Sequence, residues 1–372
     1  MAANTSMLSK HSSGQRPAEA IPTNMTALVK AGPVSGAELR TVPVPVIGPL
    51  DVLIKVSATS ICGTDVHIYE WDPWAQGRVH PPLVFGHECA GVVVAIGDSV
   101  DPRLMDQYAA VETHVACDHC YQCAHGLRHI CRNVQIIGVD RQGAFAQYVS
   151  VPAANVWPTD PKFAPSIATI QEPMGNAVHT ALAQPLAGAT VAIFGAGPIG
   201  LFTVPIARSC GAAKIFTIEP SPTRRELARV MGSDVVIDPE QDNVVDLILE
   251  QTHGEGVDVV LEMSGNAGAI GQALQVLRCG GDISLLGIPS RPLEIDLADG
   301  IIFKGATVRG ISGRRLWETW YQTRGFLQSG LDLAPIITHQ LPLEDFATAF
   351  ELVRTGRSGK VVMYPNEMDD TE

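Results

Sequence analysis

The sequence predicts an α/β protein with two domains, an irregular β-rich domain followed by a doubly wound parallel sheet. The chain has 372 residues, more than one ordinary core accommodates. The first half is dense in Val, Ile, Gly and Pro, with short β-branched runs such as DVLIKVSAT and CAGVVVAIG between turn residues. From about Pro173 onward, strand-like and helix-like segments alternate with short connections, which is typical of a parallel sheet covered on both faces.

The elements of the second domain follow in a regular order. ATVAIFGAGPIG is a predicted strand running into a glycine turn, and LFTVPIARSCGA continues as a helix ending near Gly211. KIFTIEP, DVVID and VDVVLEMSG are the next strands, with SPTRRELARVMG and VVDLILEQTHG as the helices between them. LWETWYQTRGFLQSG is an amphipathic helix, and the final strand GKVVMYP is expected to rejoin the first domain. The predicted divisions are a disordered tail over 1–25, a β-rich domain over 26–170, a nucleotide-binding domain over 171–315 and a return to the first domain plus a C-terminal tail over 316–372.

Composition and charge exclude several classes of function. The net charge of −13 disfavours binding to nucleic acid, because phosphates repel such a surface. No apolar run reaches the roughly 18 to 20 residues that span a bilayer, so no membrane association is expected. The polar N-terminal segment lacks an apolar signal core, and eight cysteines without such a signal indicate metal ligands or reactive thiols rather than disulfides. A reducing, cytoplasmic location is therefore expected.

GAGPIG places Gly195, Gly197 and Gly200 at the G-x-G-x-x-G spacing, at the end of a predicted strand and the start of a helix. The first glycine makes the tight turn, the second admits a pyrophosphate and the third lets helix and strand pack closely. Glu219 closes the next strand, where an acidic side chain binds the ribose hydroxyls of NAD and repels the extra phosphate of NADP. The sequence therefore favours NAD, with Arg224 and Arg225 as nearby basic residues that oppose this preference.

The segment ETHVACDHCYQCAHGLRHIC holds four cysteines at C-x2-C-x2-C-x7-C spacing, namely Cys117, Cys120, Cys123 and Cys131. Four thiolates complete a tetrahedral shell around Zn2+, and such closed sites leave no position for substrate. The intervening histidines, His119, His125 and His129, are expected to be exposed loop residues. This lobe, over 112–132, is predicted to be structural, so a catalytic metal has to be sought elsewhere.

Three other segments offer ligands for an open metal site. ICGTDVHIY supplies Cys62, FGHECAG supplies His87 and Glu88, and QEPMGNAVHT supplies Glu172. A catalytic zinc typically has three protein ligands, and Cys62 and His87 with one carboxylate fit that number. Taken singly, these residues are equally compatible with a core thiol, a buried hydrogen-bonding histidine and a surface acid.

These motifs, in this order, resemble those of the zinc-dependent medium-chain dehydrogenases, whose fold is a GroES-like β-rich catalytic domain plus a Rossmann domain. SICGTDVHIYEWDPWAQ, GNAVHTAL, LEMSG, LLGIP, IFKG and ETWY with LQSGLDLAPIITH resemble one branch of that family, the L-threonine 3-dehydrogenases. The resemblance covers residues 26 to 364. It implies NAD-dependent oxidation of L-threonine to 2-amino-3-oxobutanoate, two zinc ions per subunit and a homotetramer.

The resemblance also assigns roles to individual residues. It implies that Cys62, His87 and Glu88 bind the catalytic zinc, with the four-cysteine lobe holding a structural one. Thr64 and His67 match the proton relay, and Glu172 matches a catalytic acid near the metal that assists the relay and sometimes ligates the metal. His114 matches a histidine facing the substrate. The implied NAD contacts, besides the three glycines, are Ile199, Glu219, Arg224, Leu286, Gly287, Ile288, Ile311 and Ser312.

The sequence departs from the branch pattern at several places. MDQYAAVE replaces a GDRVSGE-type run, Cys89 follows Glu88 in place of an aromatic residue, Glu172 stands where many members have Asp, and Ser312 replaces an aromatic residue. None of these removes a ligand. Two alternatives stay open: a polyol or 2,3-butanediol dehydrogenase of the same family, and a nucleotide-binding protein that has lost catalysis.

Overall fold

The computed structural model describes residues 20–366, so most of the predicted tail over 1–25 lies outside the described residues. The strands within this range are β1 (Asn24–Lys30), β2 (Glu38–Pro43), β3 (Asp51–Ser60), β4 (Leu83–Val84), β5 (Glu88–Ile96), β6 (Tyr108–Val111), β7 (His114–Val115), β8 (Gln135–Ile136), β9 (Tyr148–Pro152), β10 (Val156–Pro158), β11 (Thr190–Phe194), β12 (Lys214–Ile218), β13 (Val235–Ile237), β14 (Val257–Glu262), β15 (Leu277–Leu285), β16 (Thr307–Gly310), β17 (Ile337–Pro342) and β18 (Lys360–Tyr364). The helices are α1 (Gly63–Glu70), α2 (Pro73–Arg78), α3 (Tyr121–Ala124), α4 (Pro165–Thr169), α5 (Gln171–Ala181), α6 (Pro198–Ser209), α7 (Pro222–Val230), α8 (Val244–Gln251), α9 (Ala267–Val276), α10 (Glu318–Gln328) and α11 (Phe346–Arg354). Across residues 20–366, no helix combines the length and apolarity needed to cross a bilayer.

The second half of the chain builds a six-stranded sheet in the order β13-β12-β11-β14-β15-β16. Every neighbouring pair in it is parallel. Numbered by their order within this sheet, the strands lie as 3-2-1-4-5-6, the arrangement of a Rossmann dinucleotide-binding fold. The predicted doubly wound parallel sheet is confirmed.

Both faces of the parallel sheet are covered by helices, as its strand sequences require. Along β11, Val191 and Ile193 pack into a core cluster with α6, whereas Ala192 and Phe194 pack into a second cluster with α8 and α9. Successive side chains of a strand point to opposite faces, so a strand buried on both sides is apolar throughout. This explains why TVAIF reads as a continuous apolar run rather than an alternating one.

The first half, together with the C-terminal strands, forms three further sheets. A seven-stranded sheet has the order β10-β6-β5-β3-β18-β17, with β9 also paired to β3; β2-β1-β4 and the ribbon β7-β8 complete the domain. Strand β18 pairs antiparallel with β3, so the C-terminal strand lies in the first sheet.

The segment predicted to return to the first domain contributes to both halves. Helix α10 contacts α5, and Leu327, Leu333 and Ile336 join the core cluster beneath the parallel sheet. Strand β18 and helix α11 instead pack with the first domain. The sequence analysis assigned all of 316–372 to the first domain, whereas α10 and the residues after it also pack beneath the parallel sheet.

Strands β3 and β5 approach so closely at Gly91 that a side chain there has no room. A Cβ atom added to Gly91 would lie 2.0 Å from the carbonyl oxygen of Lys55. We expect Gly91→Ala to lower the free energy of unfolding by about 1–3 kcal/mol or more, because the strands must separate. Thermal melting measures this change.

Gly77 in α2 provides the matched control, since a Cβ added there meets nothing within 4 Å. Gly77→Ala should leave the melting temperature unchanged or raise it slightly, because Ala favours helix over Gly. Equal destabilisation by the two substitutions would contradict the proposed strand contact.

Candidate metal centres and nucleotide site

Antiparallel pairing of β3 and β5 brings the first set of predicted ligands together. Ser60 lies opposite Glu88 in this pairing, and Cys62, two residues after the end of β3, is the N-cap of α1. One donor atom each from Cys62, His87 and Glu88 lies within 4.8 Å of the others. His87 and Glu88 are buried and Cys62 is half-buried.

Asp65 orients two of these three residues. Its Oδ2 accepts a hydrogen bond from the backbone N–H of Cys62 at 2.9 Å, and its Oδ1 lies 3.3 Å from His87 Nδ1. With Nδ1 facing a carboxylate, His87 has Nε2 left as its ligand atom. Burial opposes protonation of His87, yet the Asp65 carboxylate holds the pKa of His87 well above its usual value.

Glu88 is a fully buried carboxylate with one oxygen in use and one free. Its Oε2 contacts the Ser60 hydroxyl and the ammonium of Lys360, which is itself buried and also donates to the Ile61 carbonyl at 2.9 Å. Its Oε1 has no hydrogen-bond partner among the described residues. Because an unpaired buried carboxylate oxygen is costly, this atom beside a thiol and an imidazole fits a zinc ligand.

Glu172 lies at the N-terminus of α5 and is buried, but it does not belong to the group of donors within 4.8 Å. Its Oε1 pairs with Arg314 Nη1 at 2.8 Å. Burial raises the pKa of Glu172, with the positive charge of Arg314 opposing that rise. Of the two carboxylates that the sequence offered, the structure brings Glu88 to the thiol and the imidazole.

The predicted relay residues lie on α1, beside the ligand cluster. The Thr64 hydroxyl is 3.9 Å from the Cys62 sulfur, and Thr64 is half-buried. His67 is exposed, and its Nδ1 lies 2.6 Å from Asp72 Oδ2. This arrangement leaves His67 Nε2 available to exchange protons with solvent.

Glu112 is a buried carboxylate that the sequence analysis did not assign to the site. It accepts hydrogen bonds from Arg314 Nε at 2.7 Å and Nη2 at 2.6 Å, and from the indole N–H of Trp320 at 2.6 Å. Its Oε1 also lies 2.9 Å from His114 Nδ1. Glu112 and Arg314 are 202 positions apart in the chain, and no short motif marks either of them.

The second predicted metal site is compact. The sulfur atoms of Cys117 and Cys131 are 3.4 Å apart, those of Cys120 and Cys123 3.5 Å, and those of Cys120 and Cys131 3.8 Å. A tetrahedron with Zn–S bonds of about 2.3 Å has edges of about 3.8 Å, so these separations fit one zinc ion. The backbone N–H of His119 lowers the pKa of Cys117 to about 6, whereas burial and the neighbouring thiols raise the pKa of Cys123 to about 12.

The histidines of this lobe differ from one another. His119 and His125 are exposed, as predicted, but His129 is buried, so that part of the prediction is wrong. The turn at Arg128–Ile130 places the His129 ring edge-on against His179 of α5, with 5.5 Å between ring centroids. The cysteine spacing identified the lobe but carried no information about what it packs against.

The glycine turn has the geometry that its motif requires. Gly195 has φ +89°, which only glycine adopts without strain, and a Cβ at Gly200 would lie 2.0 Å from the Gly195 carbonyl oxygen. A Cβ at Gly197 would meet nothing within 4 Å, so open space lies in front of this residue at the N-terminus of α6. That space fits a pyrophosphate.

Glu219, directly after β12, is buried and joins two backbone segments. Its Oε2 accepts from the N–H of Ala196 at 2.7 Å, and its Oε1 accepts from the N–H of Ser221 at 2.9 Å. Arg224 does not pair with it, because Arg224 Nε donates to the Ser358 carbonyl at 3.1 Å. Glu219 is therefore fixed beside the glycine turn, where its charge favours NAD over NADP.

The other predicted cofactor residues lie at the carboxyl edge of the parallel sheet. Leu286, Gly287 and Ile288 follow β15, whereas Ile311 and Ser312 follow β16. The N–H groups of Leu286 and Gly287 both donate to the Glu262 carbonyl, and Ile288 is 90% exposed. This edge is where open α/β sheets bind their ligands, but the individual contacts stay predictions.

Comparison with known proteins agrees with this layout. Residues 48–161 match the family described as alcohol dehydrogenase GroES-like domain, and residues 198–329 match the family described as zinc-binding dehydrogenase. L-threonine 3-dehydrogenase from Symbiobacterium thermophilum is 50% identical over 340 residues, covering 91% of this chain and 96% of that protein. The enzyme of the same name from Pyrococcus abyssi is 51% identical, covering 91% of this chain and 98% of that protein.

Solved structures show the same architecture at lower identity. A zinc-binding dehydrogenase of Sinorhizobium meliloti, solved with NADP bound, superposes with a TM-score of 0.85 at 30% identity, covering 92% of this chain and all of that one. A 2R,3R-butanediol dehydrogenase from Bacillus subtilis has a TM-score of 0.83 at 28% identity over the same share of this chain. The predicted combination of a GroES-like domain with a Rossmann domain is confirmed.

Two substitutions in the glycine turn should separate its binding role from its packing role. Gly197→Ala should keep the wild-type melting temperature and weaken NAD binding about tenfold, equivalent to about 1.4 kcal/mol, because the new methyl group enters open space. Gly200→Ala should instead lower the melting temperature, because its Cβ collides with the Gly195 carbonyl. Fluorescence titration with NADH measures nucleotide binding, and thermal melting measures stability. A lower melting temperature in Gly197→Ala, with weaker binding but normal melting in Gly200→Ala, would contradict the roles assigned to these two glycines.

The pairing of Glu112 predicts a pH dependence. Burial would raise the pKa of Glu112, but Arg314 and His114 outweigh it and hold that pKa well below its ordinary value of 4.5. A carboxylate with a lowered pKa stabilises the fold fully above its ordinary pKa and loses that contribution as the pH falls towards its folded pKa. The stability difference between wild type and Glu112→Gln should therefore be about 3–5 kcal/mol at neutral pH and narrow only below about pH 4.5.

Melting curves of both proteins over a pH series check this expectation. Gln has nearly the same shape but replaces one acceptor oxygen by an NH2 donor, so at neutral pH the loss includes hydrogen bonds as well as the charge. The change of the difference with pH reports the ionisation of Glu112. If the stability difference between the two proteins already narrows near neutral pH, burial rather than Arg314 determines the pKa of Glu112.

Proposed function

The chain belongs to the L-threonine 3-dehydrogenases, a branch of the zinc-binding dehydrogenases, and we propose that it oxidises L-threonine to 2-amino-3-oxobutanoate with NAD+ as hydride acceptor. The observation that carries the proposal is the buried cluster of Cys62, His87 and Glu88, in a chain half identical to these enzymes over nearly its whole length. The identity to the butanediol dehydrogenase is 28% over 92% of the chain, against 50–51% over 91% for the two L-threonine 3-dehydrogenases, which favours threonine over a diol.

Cys62, His87 and Glu88 would hold the catalytic zinc, and the four-cysteine lobe would hold a second, structural zinc. When bound, the first supplies a Lewis acid that lowers the pKa of the substrate hydroxyl, and NAD+ supplies a hydride acceptor. Asp65 keeps His87 oriented for ligation, and Lys360 keeps one oxygen of Glu88 engaged so that the other faces the cluster.

The proton of the substrate hydroxyl needs a route outward. Thr64 is near enough to Cys62 to accept a hydrogen bond from a hydroxyl at the cluster. His67, held through Nδ1 by Asp72, presents Nε2 to solvent and has the side-chain chemistry for releasing a proton near neutral pH. Glu172 and His114 are the proposed contacts for the amino-acid end of the substrate.

The glycine turn and Glu219 would bind the nucleotide, with its pyrophosphate at the N-terminus of α6 and its ribose at the Glu219 carboxylate. Leu286 to Ile288 and Ile311 with Ser312 would line the nicotinamide end. Homotetrameric assembly and a cytoplasmic location are further predictions; the first rests on family analogy alone.

The substrate is tested by following NADH absorbance with zinc-replete protein and L-threonine, sorbitol or 2,3-butanediol. We expect clear preference for L-threonine. Preference for sorbitol or for 2,3-butanediol would retain the metal and nucleotide sites but overturn the substrate. Zinc-loaded protein that binds NADH without turnover would favour the non-catalytic alternative.

The metal centre is tested by Cys62→Ser, which should abolish turnover because it removes one of three ligands. NADH binding and the melting temperature should change little, since Cys62 lies outside the nucleotide site. Cys279→Ser is the matched control: Cys279 is exposed and belongs to neither ligand cluster, so this variant should keep wild-type activity. Full activity in Cys62→Ser would exclude the proposed centre.

A further inference from the structure

The ETWY segment, residues 318–321, distinguishes the sequence but has no place in the function described so far. It begins helix α10, and its tryptophan, Trp320, is 1% exposed. The indole N–H of Trp320 donates to Glu112 Oε2 at 2.6 Å. A hydrogen bond to a buried carboxylate is among the stronger polar contacts in a protein.

Glu112 also forms hydrogen bonds with two other residues, Arg314 and His114. Its Oε2 receives Trp320 and Arg314 Nε, whereas its Oε1 receives Arg314 Nη2 and the backbone N–H of His114 and also meets His114 Nδ1. Every direction in which the carboxylate could turn is therefore occupied. The indole is a rigid, fully packed donor, so it fixes one end of an assembly whose other members are held through Glu112.

His114 is the member of this assembly that reaches open space. Its side chain is 14% exposed, whereas those of Glu112 and Arg314 are exposed by 1% or less. A Cβ added to Gly313 would lie 3.0 Å from His114 Cε1, so the imidazole lies against the loop directly after Ser312. His114 therefore borders the predicted nicotinamide end of the site and can transmit the position of Glu112 to a bound substrate.

Arg314 extends the same assembly towards the metal cluster. Its Nη1 pairs with Glu172 at 2.8 Å and lies 3.4 Å from the Asn176 side-chain oxygen. Both proposed contacts for the substrate's amino-acid end, His114 and Glu172, are thus held from one carboxylate. Displacing Glu112 would shift both.

We propose that Trp320 is a positioning residue for the oxidation of L-threonine, acting through Glu112 to fix His114 and Arg314. This inference rests on the proposed function. The ETWY segment thereby positions the residues that contact the amino-acid end of the substrate. The nucleotide site does not depend on this segment.

The test is Trp320→Phe, which removes the N–H and retains an aromatic ring. We expect kcat/KM for L-threonine to fall roughly tenfold, as loss of a hydrogen bond to a charged group implies, with the KM for NAD unchanged. Rates are normalised to active sites counted by NADH titration, so incomplete folding cannot imitate the effect. If the KM for NAD rises by the same factor as kcat/KM for L-threonine falls, Trp320 has a general structural role and the proposal is overturned.

Trp157→Phe is the matched control. Trp157 is also buried, its ring lies 5.5 Å from that of Trp320, and its indole N–H has no hydrogen-bond partner among the described residues. The same change of ring should therefore leave kcat/KM for L-threonine near the wild-type value. If the two variants lose activity equally, packing rather than the donated hydrogen bond is responsible, and the proposal fails.

A double-mutant cycle with His114→Ala tests whether Trp320 acts through its assembly. If it does, Trp320→Phe should cost much less in the His114→Ala background than in the wild type, because the group that it positions is already absent. Additive losses would overturn the proposal while leaving the function intact. Wild-type protein without threonine activity would instead overturn the function, and this inference with it.

Discussion

Arg314 is a buried cation between two buried carboxylates, and the arrangement of the site depends on its being satisfied. Withdrawing an ion from water costs several kcal/mol, so the fold is stable only when Glu112, which follows β6, and Glu172, on α5, both reach the guanidinium. Arg314 itself lies in the loop between β16 and α10. These two ion pairs fix the position of three parts of the fold relative to one another: the first sheet, helix α5 and the end of the parallel sheet.

The metal cluster repeats this arrangement on a smaller scale. Glu88 is fully buried, and the ammonium of Lys360, on another strand, compensates its charge. The Ser60 hydroxyl donates a further hydrogen bond to Glu88. Each of the two acids near the cluster therefore pairs with a buried cation, Glu88 with Lys360 and Glu172 with the Arg314 that it shares with Glu112. Because Arg314 and Lys360 are rigidly held, the carboxylates cannot both turn freely towards a metal ion, and the unpaired oxygen of Glu88 makes it the better prepared ligand.

The sequence predicted most of what depends on local pattern. The parallel sheet follows from apolar runs such as TVAIF. The glycine turn follows from its spacing together with its place between a predicted strand and a predicted helix, and the four-cysteine lobe from the density of its cysteines. The same information could not identify Glu112 or Lys360 as parts of the site, because an isolated acid or lysine is usually exposed and only its tertiary partners make it buried. The burial of His129 was missed for the same reason, since it depends on α5, which is remote in sequence.

The position of Lys360 in the last strand has a consequence for biosynthesis. Cys62, His87 and Glu88 are translated early, yet the ammonium that balances Glu88 lies in β18, which ends at Tyr364. A growing chain on the ribosome therefore carries Glu88 without its lysine partner until β18 has emerged. Closure of the first sheet around this acid therefore has to wait for β18, whereas the nucleotide-binding half, which is nearly contiguous in sequence, can fold before it.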